Sequence, residues 1–224
     1  GSGVTVDLDA GTSSAGAGSN DQDQLYNIQN VIGSDNIDTL RGNDIANILV
    51  GGKGNDIFMG GKGADSFYGG AQNDSADSLD GADTVSYEDA IARTSDANNV
   101  TKNNGVVASL ENSQINEGEY AVGDKYYSIE NLTGSKYDDK LYGDSGKNTL
   151  TGGDGIDTLI GGAGADSLNG AGGSGSAETN NYASYETSTA VHASLAHTIT
   201  NGVDSFNTGD AEGDIYNNIR HLIG

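Results

Sequence analysis

The sequence predicts an all-β protein, an elongated stack of very short parallel strands with two strands and two tight turns to a coil and with loops bulging from it. Three observations predict this. A nine-residue phrase recurs in unbroken register, its sixth position is acidic or amidic while its eighth is apolar, and the composition is wrong for a conventional core. Of 224 residues, 36 are glycine, 34% are hydrophobic and 6% aromatic, with no tryptophan, proline or cysteine.

The register comes first. Set in nines from Gly33, the chain reads GSDNIDTLR, GNDIANILV, GGKGNDIFM, GGKGADSFY, GGAQNDSAD and SLDGADTVS, ending at Ser86. The sixth column is Asp38, Asn47, Asp56, Asp65, Asp74, Asp83; the eighth is Leu40, Leu49, Phe58, Phe67, Ala76, Val85. The frame returns at Gly134 as GSKYDDKLY, GDSGKNTLT, GGDGIDTLI and GGAGADSLN, with Asp139, Asn148, Asp157 and Asp166 sixth and leucine eighth, then dissolves into GAGGSGSAE, whose sixth residue, Gly175, offers no ligand. Flanking segments repeat too: VTVDL (4–8) returns as VVASL (106–110) and VHASL (191–195), and DQLYNIQNVIGS (23–34) returns as DKYYSIENLTGS (124–135) and DIYNNIRHLIG (214–224). Repeats at a fixed period mark arrays in which each unit buries its apolar face against the next. The expected organisation is the end of one unit with capping strands (1–32), a first nonad block (33–86), connecting strands (87–133), a second block (134–178) and the connecting strands of a further unit (179–224), the whole belonging to a longer array.

Within each nonad, residues one to six have the composition of a tight turn, where glycine supplies backbone angles other residues avoid. Residues seven to nine suffice for a three-residue strand with the eighth pointing inward. Two nonads then close one coil, and each turn lies over the turn eighteen residues earlier. On that count Asp38, Asp56 and Asp74 line one edge, and Asn47, Asp65 and Asp83 the other. Stacked carboxylates repel unless a cation lies between them. Carboxylates with backbone carbonyls at an adaptable site suit calcium, a hard cation taking 6–8 oxygen ligands; magnesium wants stricter geometry. Zinc or copper would want histidine or cysteine, and neither recurs.

Charge agrees. Asp and Glu number 33 against 10 Lys and Arg, a net charge of −23, which repels nucleic acid and anionic membrane and disfavours compaction. Low hydrophobicity with high net charge is also the composition of a disordered chain, so a partner must offset the cost of ordering. No run approaches the roughly 20 apolar residues of a membrane span, and residues 1–20 lack the pattern of a signal peptide.

The phrases GGKGNDIFM, GGKGADSFY, GGDGIDTLI and GGAGADSLN resemble the G-G-x-G-x-D-x-U-x nonapeptide of RTX (repeats-in-toxin) proteins. The resemblance covers 33–86 and 134–169. It implies a right-handed parallel β-roll with calcium along both edges. The ligands it implies are the sixth-position side chains and the carbonyls of positions one to four: Gly51, Gly52, Lys53 and Gly54; Gly60, Gly61, Lys62 and Gly63; Gly152, Gly153, Asp154 and Gly155; Gly161, Gly162, Ala163 and Gly164. Neutral amides make the Asn47/Asp65 and Asn148/Asp166 sites the weaker ones, against Asp38/Asp56, Asp56/Asp74 and Asp139/Asp157. The linking segments are similar to those of long RTX surface proteins of Gram-negative bacteria.

Other features carry less. The histidines of HASLAH (192–197) lack the spacing of a zincin helix, and His192 aligns with Thr5 and Val107 as a strand residue. GDSG (143–146) falls in register as a nonad turn with no partnering histidine region. Phe58 and Phe67 stand where leucine stands elsewhere, which makes them core. Tyr68 and Tyr142 face outward and are candidate surface contacts. Segments 9–22, 92–105, 111–123 and 198–213 read as loops.

The expectation is a calcium-dependent structural module with no catalytic role. The family resemblance implies a secreted or cell-surface (surface-layer or adhesin) protein of a Gram-negative bacterium, exported by type I secretion, with neighbouring repeat units, cell-surface polysaccharide or self-association as partners. The rivals are an accessory domain of a secreted protease or lipase and a ligand-binding adhesin module. About six calcium ions are expected. At ten times the dissociation constant each adds roughly 1.4 kcal/mol, so about six give on the order of 8 kcal/mol, comparable with the 5–15 kcal/mol of a typical domain. Such a chain would be unfolded where calcium is scarce and fold outside the cell.

Overall fold

A computed structural model describes residues 2–15, 22–70, 81–91, 104–171, 180–188, 190–195 and 207–224. The chain opens with β1 (Val4–Asp7), β2 (Thr12–Ala15) and β3 (Gln22–Gln24), then winds through β4 (Asn30–Ile32), β5 (Thr39–Arg41), β6 (Ile48–Val50), β7 (Ile57–Met59), β8 (Ser66–Tyr68) and β9 (Thr84–Ser86). After β10 (Asn104–Ser109) and a 3-10 turn (Ser113–Ile115) come β11 (Lys125–Tyr127), β12 (Asn131–Thr133), β13 (Asp138–Tyr142), β14 (Thr149–Thr151), β15 (Thr158–Ile160), β16 (Ser167–Asn169), β17 (Tyr182–Ser184), β18 (Ile215–Asn217) and β19 (His221–Ile223).

These strands form the two faces of a parallel β-roll. One face is a single sheet in the order β18-β16-β14-β12-β9-β7-β5-β1, extended by the antiparallel β2 and β3. The other is β4-β6-β8-β11 followed by the separate sheet β10-β13-β15-β17-β19. Strand β12, from the SIENL segment, pairs with β9 on one side and β14 on the other, so the two nonad blocks share one continuous stack on the first face. The linking segments therefore continue the roll. The segment 9–22, expected as a loop, is partly ordered otherwise: β2 lies within it and pairs back on β1, and β3 begins at its end and pairs on β2, so that together they shield the β1 edge. His192, expected in a strand, lies in an isolated antiparallel bridge to Thr208 rather than in a strand of the roll.

From β4, seven strands (β4 to β9, then β11) pass before β12 recapitulates β4. Because that number is odd, equivalent strands of the two units fall on opposite faces. Strand β5 belongs to the first face and β13, its counterpart, to the second. The next unit of the stack is thus turned half a coil from the previous one.

The core is one file of side chains per face, most of them from position eight. Leu40, Leu49, Phe58, Phe67, Val85, Leu132, Leu141, Leu150, Leu159, Leu168 and Ala183 are completely buried. Phe58 and Phe67 meet at 6.0 Å between ring centroids, and Tyr126 stacks on Phe67 at 5.8 Å. Outside, Tyr68 lies against Tyr127 at 4.5 Å, and the Lys140 ammonium stands 5.1 Å from the Tyr142 ring centre. Each rung buries so little that a lost leucine cannot be absorbed by its neighbours. Leu150→Ala should therefore cost about 2–5 kcal/mol in denaturant unfolding at saturating calcium, the range for a truncated buried leucine.

Candidate metal centre

The residue two places before each inward core residue lies at a roll edge, and these residues form two columns. On one edge the order is Asp38, Asp56, Asp83, Glu130, Asn148, Asp166, Asp214; on the other, Asn47, Asp65, Asp124 and then Asp139, Asp157, Asn181. Along most of each column one side-chain oxygen accepts the backbone N–H of the column residue one coil earlier. Asp56 Oδ1 takes Asp38 N–H (2.8 Å), Asp65 Oδ1 takes Asn47 N–H (2.8 Å), Asp157 Oδ1 takes Asp139 N–H (3.0 Å) and Asp166 Oδ1 takes Asn148 N–H (2.8 Å). The eighteen-residue pairing of Asp56 with Asp38 and of Asp65 with Asn47 is as the nonad count anticipates.

Asp83 departs from that count. It is not on the Asp65 edge: Asp83 Oδ1 accepts Asp56 N–H (2.7 Å), and Thr84 pairs with Ile57, 27 residues back rather than 18. Asp74, the expected partner of Asp56, lies outside the described residues. The physical reason is an insertion in the sequence. Gly69 stands against Asp83 as Gly51 stands against Asp56, so the sequence between these two equivalent positions is nine residues longer than in the turn 51–56. An insertion of nine is invisible to a period of nine. On the other edge the place above Asp65 belongs to Asp124, whose Oδ1 accepts Asp65 N–H (2.9 Å).

Four column residues escape the nonad pattern: Glu130, Asp124 and Asp214 because no glycine phrase precedes them, and Asn181 because the phrase from Gly170, which stands against it, is longer than six residues. Glu130 Oε2 accepts Asp83 N–H (2.7 Å), and the step to the second block is made by Asn148 Nδ2 donating to the Glu130 carbonyl (2.9 Å). Asp214 Oδ1 accepts Asp166 N–H (2.9 Å) and Asn181 Oδ1 accepts Asp157 N–H (2.8 Å). The only sequence signal is the recurrence of an aspartate one residue before the KYY and IYN strands. At these seams a phenol supplies the second partner. The Tyr87 hydroxyl donates to Asp124 Oδ2 (2.7 Å) and meets the Tyr126 hydroxyl; Tyr185 donates likewise to Asp214 Oδ2 (2.6 Å) and meets Tyr216.

The Gly-Gly turns behave differently. In the turns 51–56, 60–65, 152–157 and 161–166, the second carboxylate oxygens of Asp56, Asp65, Asp157 and Asp166 are buried with no hydrogen-bond partner. A buried polar atom without a partner costs about 1–3 kcal/mol, and more when charged. The cradle around each oxygen is built by glycine. A Cβ on Gly51, Gly60, Gly152 or Gly161 would overlap the carboxylate of its own turn. Gly52 and Gly54 hold φ of 110° and 114°, angles that a side chain resists, and the same pair of positions is left-handed in the other three turns. Lys53 and Lys62 send their side chains outward to Asp35 (2.7 Å) and Asp44 (3.5 Å), leaving only their backbone at the turn.

Burial dominates the electrostatics. It pushes the carboxyls of Asp56 and Asp65 up to about 6, of Asp139 and Asp166 to about 7, and of Asp157 to about 8, against an ordinary 3.8. Neighbouring Asp38 adds to the shift at Asp56, and Asp139, Asp138 and Asp154 add to it at Asp157.

The donor set fits a hard cation. Orphaned carboxylate oxygens face glycine cradles amid backbone carbonyls, with no thiol in the chain. Among the described residues no three acidic or imidazole side chains converge, so a cation here would draw on backbone oxygens as well as carboxylates. A family model for the RTX calcium-binding nonapeptide repeat (4 copies) matches residues 32–67, 42–76, 50–85, 127–159 and 142–176. No curated protein matches the chain.

Proposed function

Because the chain belongs to the RTX calcium-binding nonapeptide repeat family over residues 32–85 and 127–176, we propose that it is a structural module of a secreted or cell-surface protein that orders when calcium binds its turns. The observation that carries this reading is the set of buried, partnerless carboxylate oxygens at Asp56, Asp65, Asp157 and Asp166. In it these aspartates hold calcium together with carbonyls of the turns Gly51–Gly54, Gly60–Gly63, Gly152–Gly155 and Gly161–Gly164, and Asp83 does so at the foot of its long turn. Bound calcium supplies positive charge and oxygen coordination where the fold otherwise buries uncompensated negative charge.

The module's own residues do the rest. The ladder of backbone N–H groups orients one oxygen of each carboxylate, which leaves the other aimed into the turn. The leucine files then lock one coil on the next. Extracellular calcium modules bind at roughly 10⁻⁴ to 10⁻³ M, so the chain stays unfolded during export and rigidifies outside, where it spaces or displays neighbouring parts. This reading assigns no reaction to the module.

A calcium titration of the chelator-treated chain, followed by circular dichroism and hydrodynamic radius, tests the proposal. The expected result is a cooperative gain of β-structure with compaction. Full β-structure already present in chelator at neutral pH would sink it.

A further inference from the structure

We infer that the first two turns of each nonad block are metal-independent clasps, so that calcium is confined to the Gly-Gly turns that follow them. The inference rests on the calcium-binding reading above and says which turns take part in it.

The two kinds of turn differ at their second residue. In the turns 33–38, 42–47, 134–139 and 143–148 that residue is Ser34, Asn43, Ser135 and Asp144, none of them at positive φ. Its backbone N–H donates inward to the sixth side chain: Ser34 to Asp38 Oδ2 (2.5 Å), Asn43 to Asn47 Oδ1 (2.8 Å), Ser135 to Asp139 Oδ2 (2.5 Å) and Asp144 to Asn148 Oδ1 (2.9 Å). Its side chain accepts the N–H of the fourth residue: Asn36 on Ser34 (3.2 Å), Ile45 on Asn43 (3.2 Å), Tyr137 on Ser135 (3.1 Å) and Gly146 on Asp144 (2.7 Å). The turn thereby satisfies itself. With glycine second the backbone takes the left-handed angle, and Gly52 N–H instead goes to the Gly69 carbonyl (2.9 Å), leaving Asp56 Oδ2 without a donor.

The remaining atoms of the clasps are also occupied. Asp38 Oδ1 accepts Val4 N–H (2.6 Å) and the Ser34 hydroxyl (2.9 Å); Asp139 Oδ1 accepts Val106 N–H (2.6 Å) and the Ser135 hydroxyl (3.0 Å). Asn47 Nδ2 donates to the Gln29 carbonyl (2.7 Å), and Asn148 Nδ2 to the Glu130 carbonyl (2.9 Å). Those amides draw in the carbonyl of the preceding coil, the task a cation performs at an aspartate. Asparagine is thus a substitute for the metal at these two positions, not a weak ligand for it. The same arrangement opens both blocks, so each begins with two turns that order without calcium and present a formed edge to the calcium-dependent coils.

Equilibrium dialysis of the full 224-residue chain at saturating calcium tests this by counting bound ions. Asn47→Ala and Asn148→Ala are expected to leave the count unchanged, while Asp56→Asn and Asp157→Asn each lower it by one. A loss of calcium in Asn47→Ala or Asn148→Ala overturns the inference. If those variants fail to fold, Ser34→Gly with Ser135→Gly decides, since both changes import a residue already present at that place in other turns. A gain of bound calcium supports the clasp and an unchanged count overturns it. Failure of the broader reading looks different, because the unaltered chain would then bind no calcium at all.

Discussion

Without calcium, the chain is expected to gain β-structure as the pH falls from about 8 toward 4. The buried carboxyls of Asp56, Asp65, Asp139, Asp157 and Asp166 titrate in the folded chain between about 6 and about 8, and near 3.8 when exposed. Between those limits the folded state binds more protons than the unfolded one, so stability rises as pH falls and is lost as pH rises through the folded values. Desolvation is the main cause, with Asp38 against Asp56, and Asp214 and Asp144 against Asp166, as like-charge contributions and Lys147 opposing the last. At Asp56, Asp65, Asp157 and Asp166 a proton removes the buried charge that calcium otherwise compensates, and at Asp139 it removes the charge held in the clasp. Circular dichroism in chelator across this range is the measurement, and β-content that stays flat or falls on acidification contradicts the cause assigned. In saturating calcium the trend reverses, because protons and calcium compete for the same oxygens.

Gly51→Ala and Gly152→Ala should each remove one calcium site and destabilise the calcium-loaded roll by about 1–3 kcal/mol, the usual cost of forcing a methyl into filled space. A Cβ on Gly51 meets Oδ2, Cγ and Cβ of Asp56, and one on Gly152 meets the same three atoms of Asp157. The carboxylate must then swing away from the oxygen cradle, since the turn backbone cannot retreat from the coil beneath it. Calcium counting together with urea unfolding distinguishes this from simple strain. Thr149→Ala, a change of an exposed strand residue beside the turn that ends at Asn148, serves as the control and should change neither the count nor the midpoint.

Much of the roll was legible because its period is short and its chemistry repeats within it. Leucine or phenylalanine every nine residues, two places after an aspartate, leaves one way to put apolar groups in and carboxylates at an edge. The assignment of Asp83 shows the limit. Nine extra residues of sequence after Gly69 leave the count intact while Asp83 joins the Asp56 edge, which the pairing of Thr84 with Ile57 and the Asp56 N–H bond to Asp83 reveal. Glu130 and Asp124 were hidden for the opposite reason. They occupy column positions without the glycine phrase, since their place comes from neighbouring coils rather than from a local turn.

The period, the inward residues and a donor set suited to a hard cation are readable from the residues in order, because each depends on contacts within nine residues or on composition. Tertiary structure alone decided which edge each carboxylate joins and which face each unit presents. It also decided which side chains close on backbone donors and which keep a buried oxygen open. Those outcomes depend on what the next coil places against a turn, and a carboxylate's partners across a coil are set by the stacking of the whole roll.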